Sequence, residues 1–252
     1  MLLAVDVGNT STALGVFQGE ALIANFRIHT DRMRMESEYE ILIKNLFALK
    51  GLPPPQAALI SSVVPPVEQE LKAAIRALFG LEALVVGPEH TGLEILIDNP
   101  KEAGADRLVN AAGALGYESP TGRYIVVDFG TATTFDLVEA PGRYLGGAIT
   151  IGPQTAADAL AMRTAKLPRI DLLPPERVVG KNTLDALRSG LVLGYAALVE
   201  GMVRRFEEEA GEALVIATGG FAKTLEPLCP SFHVVDEDLT LKGLLRIYKA
   251  LG

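Results

Sequence analysis

Apolar and polar positions alternate with several different periods along this 252-residue chain. Leu2–Asp6 is an apolar run that ends on a carboxylate, and Thr12–Phe17 resumes it after Gly8-Asn9-Thr10, which predicts a β-hairpin. Ala21–His29 predicts a third strand after Gly19. Glu36–Leu49 places Ile41, Leu42, Leu46 and Leu49 at helical spacing, with Gly51 at the C-cap position. Beyond Pro53-Pro54-Pro55, Ala57–Ser61 reads as a short buried strand, and Val67–Phe79 as a helix entered through Pro65 and Pro66. Leu84–Val86 and Glu94–Ile97 predict short strands, and Ala105–Leu115 predicts a helix opening behind Gly104. The scheme then restarts. Arg123–Asp128, a turn at 130–134 and Phe135–Glu139 predict a second hairpin, followed by a strand around Tyr144–Ala148. Ser189–Glu209 predicts a long helix, Ala213–Ala217 a buried strand, and Thr218-Gly219-Gly220 a turn into a helix from about Phe221. Lys242–Leu251 predicts a final helix.

Strands alternating with helices, with an antiparallel hairpin opening each half, predict a mixed α/β sheet in each of two domains, 1–118 and 119–252. The repeat extends to the wording. Ala-Val-Asp6-Val-Gly8-Asn9-Thr10-Ser11-Thr12 is echoed by Val-Val-Asp128-Phe-Gly130-Thr131-Ala132-Thr133-Thr134, with Asp128 lying 122 positions after Asp6. Glycine lets the backbone approach a ligand closely, and amides in such a turn can point at a phosphate oxygen. Thr and Ser hydroxyls add donors without bulk, and the carboxylates of Asp6 and Asp128 are hard ligands suited to cations. A duplicated fold with two such turns predicts a nucleotide gripped in a cleft between paired halves.

Composition narrows the class. With 49% hydrophobic and 21% charged residues the chain is globular, and a net charge of −8 argues against non-specific nucleic-acid binding. Cys229 is the only cysteine, which excludes an intrachain disulfide and a Cys-rich zinc site; between Leu228 and Pro230 it is expected to be buried and inert. Met-Leu-Leu-Ala-Val-Asp has no basic flank, so no signal peptide is expected. The apolar stretch Ser189–Val199 falls short of the roughly 20 residues a bilayer span needs. The expectation is a cytoplasmic protein with no membrane partner.

Familiar phosphate motifs are missing. No Gly-x-Gly-x-x-Gly follows a strand, and Val179-Gly180-Lys181-Asn182-Thr183 lacks the earlier glycine of a P-loop and has Asn where Ser or Thr is required. A second constellation is Asn99-Pro100-Lys101-Glu102-Ala103-Gly104-Ala105-Asp106-Arg107. Gly104 would allow a tight turn, after which Asp106 could accept a hydroxyl proton and Arg107 could fork onto a carboxylate. The structural alternative is a first-turn acid favoured by the helix dipole beside a surface arginine. Thr218-Gly219-Gly220 leaves room for a planar base, and Gly146–Pro153 permits close approach in packing or binding. His29, His90 and His233 form no ligand-spaced set.

Taken in order, Asp6-Val-Gly-Asn-Thr, Asn99-Pro with Gly104-Ala-Asp-Arg, Asp128-Phe-Gly-Thr-Ala-Thr-Thr, Gly180-Lys-Asn-Thr and Thr218-Gly-Gly resemble the motifs of the type III pantothenate kinase family. The resemblance runs from Asp6 to Asp238-Leu-Thr-Leu-Lys-Gly. It implies duplicated RNase H-like domains of the acetate and sugar kinase/Hsp70/actin superfamily. It also implies a homodimer, pantothenate and ATP as substrates, Mg-ATP, and a monovalent cation, potassium or ammonium. By position, Asp6, Val7, Gly8, Asn9, Thr10, Ser11, Thr12 and Ala13 would form the first phosphate loop, with Asp6 near magnesium. Asp128 would bind the monovalent cation, Thr131 would touch ATP, and Gly219 and Gly220 would lie by the adenosine. Gly104, Ala105, Asp106 and Arg107 would contact pantothenate, Asp106 as proton acceptor, and Thr183 would be a further substrate contact.

One position departs from the pattern. Many relatives carry tyrosine two residues before the Asn-Pro pair, where this chain has Ile97, so one hydrogen bond in the pantothenate pocket is expected to be lost. Two rivals to the kinase are a nucleotide-sensing regulatory protein and a phosphatase of the same superfamily. Asp6, Asp106, Arg107 and Asp128 together argue against the first, and Gly104-Ala-Asp-Arg is unexplained by the second.

Overall fold

In the computed structural model, which describes residues 1–252, the first hairpin forms as expected, Leu2–Val7 (β1) against Ser11–Gln18 (β2). Ala21–His29 (β3) pairs antiparallel with β2, and Ala57–Ser62 (β4) pairs parallel with β1. With the two-residue strand Leu84–Val85 (β5), the sheet order is β3-β2-β1-β4-β5. Successive side chains in a strand point to opposite faces. Leu3, Val5, Val7 and Ile60 therefore meet Tyr39, Ile43 and Phe47 of Glu36–Lys50 (α1) and Val67, Leu71 and Ile75 of Pro65–Phe79 (α2). Both helices end on a left-handed glycine, Gly51 and Gly80. The alternate residues Leu2, Ala4 and Leu59 face Ala105–Ala114 (α3). The predicted strand at 94–97 is reduced to Glu94–Ile95 (β6).

This first unit, Met1–Gly116, is completed by Asp238–Gly252 from the far end of the chain. The last helix, Leu239–Leu251, which is α8 in chain order, inserts Leu241, Leu244 and Ile247 beside Val109 and Ala112 of α3. Its apolar stripe finds its partner on this sheet, although the residues that precede it in the chain belong to the other unit. The two helix backbones nearly touch. A Cβ on Gly113 would lie 2.7 Å from the Leu239 carbonyl, and one on Gly243 would collide with the Val109 carbonyl.

The second unit, Tyr117–Glu237, repeats the plan with Arg123–Phe129 (β7), Ala132–Glu139 (β8) and Arg143–Ile151 (β9) as an antiparallel meander. Leu214–Gly219 (β10) pairs parallel with β7, and Val234–Val235 (β11) pairs parallel with β10. β8 begins at Ala132 rather than 135, because Thr133 and Thr134 are already in register with Phe129 and Asp128. Two helices had no apolar period to announce them, Pro153–Arg163 (α4) and Thr183–Arg188 (α5), while the helix expected from about Phe221 forms as the four-residue Ala222–Leu225 (α7).

The predicted long helix is longer than expected. A π-helical turn, Ser189–Leu193, joins α5 to Gly194–Ala210 (α6), making a 28-residue run, Thr183–Ala210, that contains an 18-residue stretch of mean hydropathy 1.3. By length and composition this run is long enough to cross a membrane. Its Leu191, Val192, Tyr195, Ala196, Val199 and Val203 are instead buried in the core of this unit, against Ile125, Val127 and Val215. The helix is a core element. Cys229 belongs to the same core, and burial, aided by the Glu200 charge, pushes its thiol up to about 12.

Candidate functional site

In the first unit, the chain between β1 and β2 turns over Gly8, Asn9 and Thr10, closed by the Gly8 amide donating to the Ser11 carbonyl at 3.1 Å. Asn9 and Thr10 are exposed at the tip, whereas Thr12 is buried. The residue that follows β3 holds this turn in place. The Thr30 amide donates to the Thr10 carbonyl at 3.0 Å, and its hydroxyl donates to the Gly8 carbonyl at 2.8 Å and lies 2.9 Å from the Thr12 hydroxyl. Arg32 adds a bond to the Asn9 side-chain oxygen at 3.0 Å. Asp6 pairs with Ala13 on one side and Ser61 on the other, at the C-terminal end of the parallel β1–β4 pair. The periodicity of both strands puts Asp6 and Ser61 on the face that α3 covers.

The second unit builds its turn differently from similar words. The Gly130 amide reaches the Ala132 carbonyl at 3.0 Å, so this turn is one residue tighter than the first. The position after β9, equivalent to Thr30, is Gly152, whose amide donates to the Thr131 carbonyl at 3.0 Å. A Cβ on Gly152 would collide with the Gly130 and Thr131 carbonyls, which excludes threonine there. The missing hydroxyl is supplied by Thr155 in the first turn of α4, donating to the Thr131 carbonyl at 2.7 Å. Thr218 and Gly219 stand in register with Asp128 and Phe129, and the Gly220 amide donates to the Phe129 carbonyl at 3.1 Å. Gly219 has φ +87°, and a Cβ there would lie 2.5 Å from the Asp128 carboxylate. Asp128, Gly219 and Gly220 are thus brought together within this unit, with Thr131 in the turn three residues beyond Asp128.

Gly104 does its work by size rather than by turning. Its φ of −60° is open to any residue, yet a Cβ would sit 2.6 Å from the Asp106 carboxylate. Asp106, in the first turn of α3, accepts from the Arg107 amide at 2.8 Å. Burial pushes its carboxyl above the ordinary value of 3.8, against the Arg107 amide and guanidinium, which favour the charged form. A carboxylate made more basic by desolvation is suited to taking a proton.

Gly180-Lys181-Asn182-Thr183 is a helix start. The Asn182 side chain accepts from the Asp185 amide at 2.9 Å, as an N-cap does, and Thr183 is exposed at the first helical position of α5. Ile97 is half-buried in the bend before Pro100–Glu102. Two histidines are structural: the ring nitrogens of His90 and His233 accept from the Gly87 and Val215 amides. No group of three or more His, Cys, Asp and Glu side chains converges as a metal cage. Thr30, Ser61 and Thr155 carry no local signal in the sequence, whereas Gly152 lies in the 146–153 stretch expected to permit close approach. Gly152 ahead of Pro153 also marks the start of α4, a proline-started helix that the sequence pattern did not otherwise announce.

Residues 2–205 match the family model described as type III pantothenate kinase. A relative named type III pantothenate kinase, from Thermus thermophilus, is 81% identical over 252 residues, covering 100% of both chains. Among solved structures, one described as a Baf family transcriptional activator from Campylobacter jejuni aligns with TM-score 0.63 at 19% identity, over 99% of this chain and 98% of its own. A ROK hexokinase from Thermus thermophilus aligns with TM-score 0.53 at 13% identity, over 99% and 98% respectively. At these identities the two structures speak for the fold alone, a mixed α/β two-sheet architecture.

Proposed function

The chain belongs to the type III pantothenate kinase family, and from that membership we propose how its residues move the γ-phosphoryl group of ATP to the primary hydroxyl of pantothenate. The observation that carries the reading is identity of 81% over the full length to a relative of that name. Phosphoryl transfer asks a protein for positioning and charge stabilisation, with little covalent chemistry of its own. Turn amides and hydroxyls over Asp6–Ala13 hold phosphate oxygens, as does Thr131, while Gly219 and Gly220 leave space for adenosine. Asp106 orients the pantothenate hydroxyl and takes its proton, a role its desolvated carboxyl favours. Gly104 and Ala105 line the approach, Arg107 forks onto the pantothenate carboxylate, and Thr183 adds a further substrate contact.

Magnesium, brought with ATP, supplies charge neutralisation of the phosphates. The residues present fit such an ion, because Asp6 offers a hard oxygen donor beside a buried serine hydroxyl and no all-protein cage is needed when phosphates complete the shell. Asp128, held against the Gly219 backbone, is the carboxylate for a monovalent cation, potassium or ammonium. The protein works in the cytoplasm as a homodimer. The dimer is supported by exposed apolar side chains between residues 149 and 179, among them Ile149, Met162, Leu173, Val178 and Val179.

The test is ADP release from Mg-ATP and potassium, with and without pantothenate. Release that requires pantothenate and vanishes when sodium replaces potassium is the expected result. Hydrolysis indifferent to pantothenate would overturn the kinase in favour of a phosphatase.

A further inference from the structure

Ser61 is fully buried at the C-terminal end of β4, and its hydroxyl oxygen has no hydrogen-bond partner. A hydroxyl left unsatisfied in a protein interior costs free energy that an alanine in the same place would not, so its presence calls for a physical reason. Serine in a strand normally bonds a neighbouring backbone group or water. Here the backbone of β4 is engaged with β1 along its length, in register from Leu2↔Ala57 to Val7↔Ser62. The register also says where the hydroxyl points. Paired residues on adjacent parallel strands share a face about 4.8 Å apart. Ser61 is the cross-strand partner of Asp6, on the face carrying Ala4 and Leu59. On the other flank of Asp6 stands Ala13, which has nothing polar to offer. The polar neighbour in register with the carboxylate is therefore a hydroxyl with spare bonding capacity.

We propose that Ser61 is a binding residue of the divalent-cation site, its hydroxyl accepting a hydrogen bond from a water on the cation that Asp6 attracts. A small divalent ion dehydrates reluctantly and keeps several waters, so its second layer of contacts is made by neutral oxygens of this kind. The inference rests on the assignment of Asp6 to magnesium made above. It explains why an orphan hydroxyl is kept where the strand periodicity would accept any small apolar residue.

The test is Ser61→Ala, read by binding and stability rather than turnover. Calorimetric titration with the imido analogue of ATP, in magnesium and again in EDTA, separates the cation-dependent part of the affinity. The expected result is about tenfold weaker binding in magnesium, the scale of one charge-assisted hydrogen bond, with affinity in EDTA unchanged. The melting temperature of the ligand-free variant should be no lower than wild type, because an unsatisfied polar group has been removed. Equal affinity in magnesium overturns the proposal, as does an equal loss with and without magnesium, which would mark a direct phosphate contact. A wild type that binds the magnesium-bound analogue yet shows no pantothenate-dependent ADP release would sink the kinase reading and leave the Ser61 result standing by itself.

Discussion

Asp106 is held where its charge is costly, and that gives it two separable signatures. Its folded-state pKa lies above the ordinary 3.8, so the folded protein binds this proton more tightly than the unfolded chain does. Stability therefore falls as pH rises from the unfolded value through the raised one, and the deficit persists at neutral pH. Asp106→Asn should remove the deficit: at pH 7 its melting temperature should equal or exceed that of wild type, with the difference shrinking in acid. Turnover should drop by about 10² to 10⁴, the usual contribution of a positioned base. A variant that is both less stable and fully active would refute the assignment. The acidic limb of the wild-type pH–rate profile should also lie above the ordinary aspartate value, because burial disfavours the charged carboxylate. At this scale the sequence was informative where chemistry needs a particular residue type. Asp6, Asp106 and Asp128 stood out by their company of glycines and hydroxyls. Thr30 and Ser61 did not, because their importance comes from which strand lies beside them, and register across β1–β4 or β2–β3 is invisible to local pattern.

Elements with a clean period were legible to within a few residues: β1 to β3, α1, α3 and β10. Those missed had a reason to be. α4 opens with Pro153, Gln154 and Thr155 and carries a weak apolar stripe, and α5 is six residues capped by Asn182. β11 is only two residues long. The contact between α3 and α8 shows the opposite case, where a strong stripe gave the helix but not its partner. Gly113 and Gly243 let the two backbones meet, and a methyl group at 243 would have to displace the Val109 carbonyl, which is backbone and cannot swing away. Gly243→Ala should therefore cost about 1–3 kcal/mol in chemical denaturation, despite the better helix propensity of alanine. A neutral or stabilising result would show that the helices slide apart freely.

For the whole molecule, the internal repeat in the sequence pointed to two similar halves, and the two sheets do open with the same meander of three strands. If the apolar side chains between residues 149 and 179 seat a second copy, sedimentation should give about twice the 26.8 kDa chain mass. Val179→Asp with Met162→Asp, both exposed here, should then shift the protein toward monomer without loss of fold. A wild-type monomer at micromolar concentration would exclude the homodimer. The return of α8 to the first sheet has a consequence for how the protein is born. On the ribosome, residues 1–116 emerge first, yet their hydrophobic layer around Leu2, Ala4 and Leu59 stays uncovered on the α8 side until residues 238–252 have been translated. Residues 117–237 are contiguous and carry β7 to β11 in one stretch. The half that is made second can thus mature first, and the earlier half waits, exposed to chaperones and proteases, until α8 has been made.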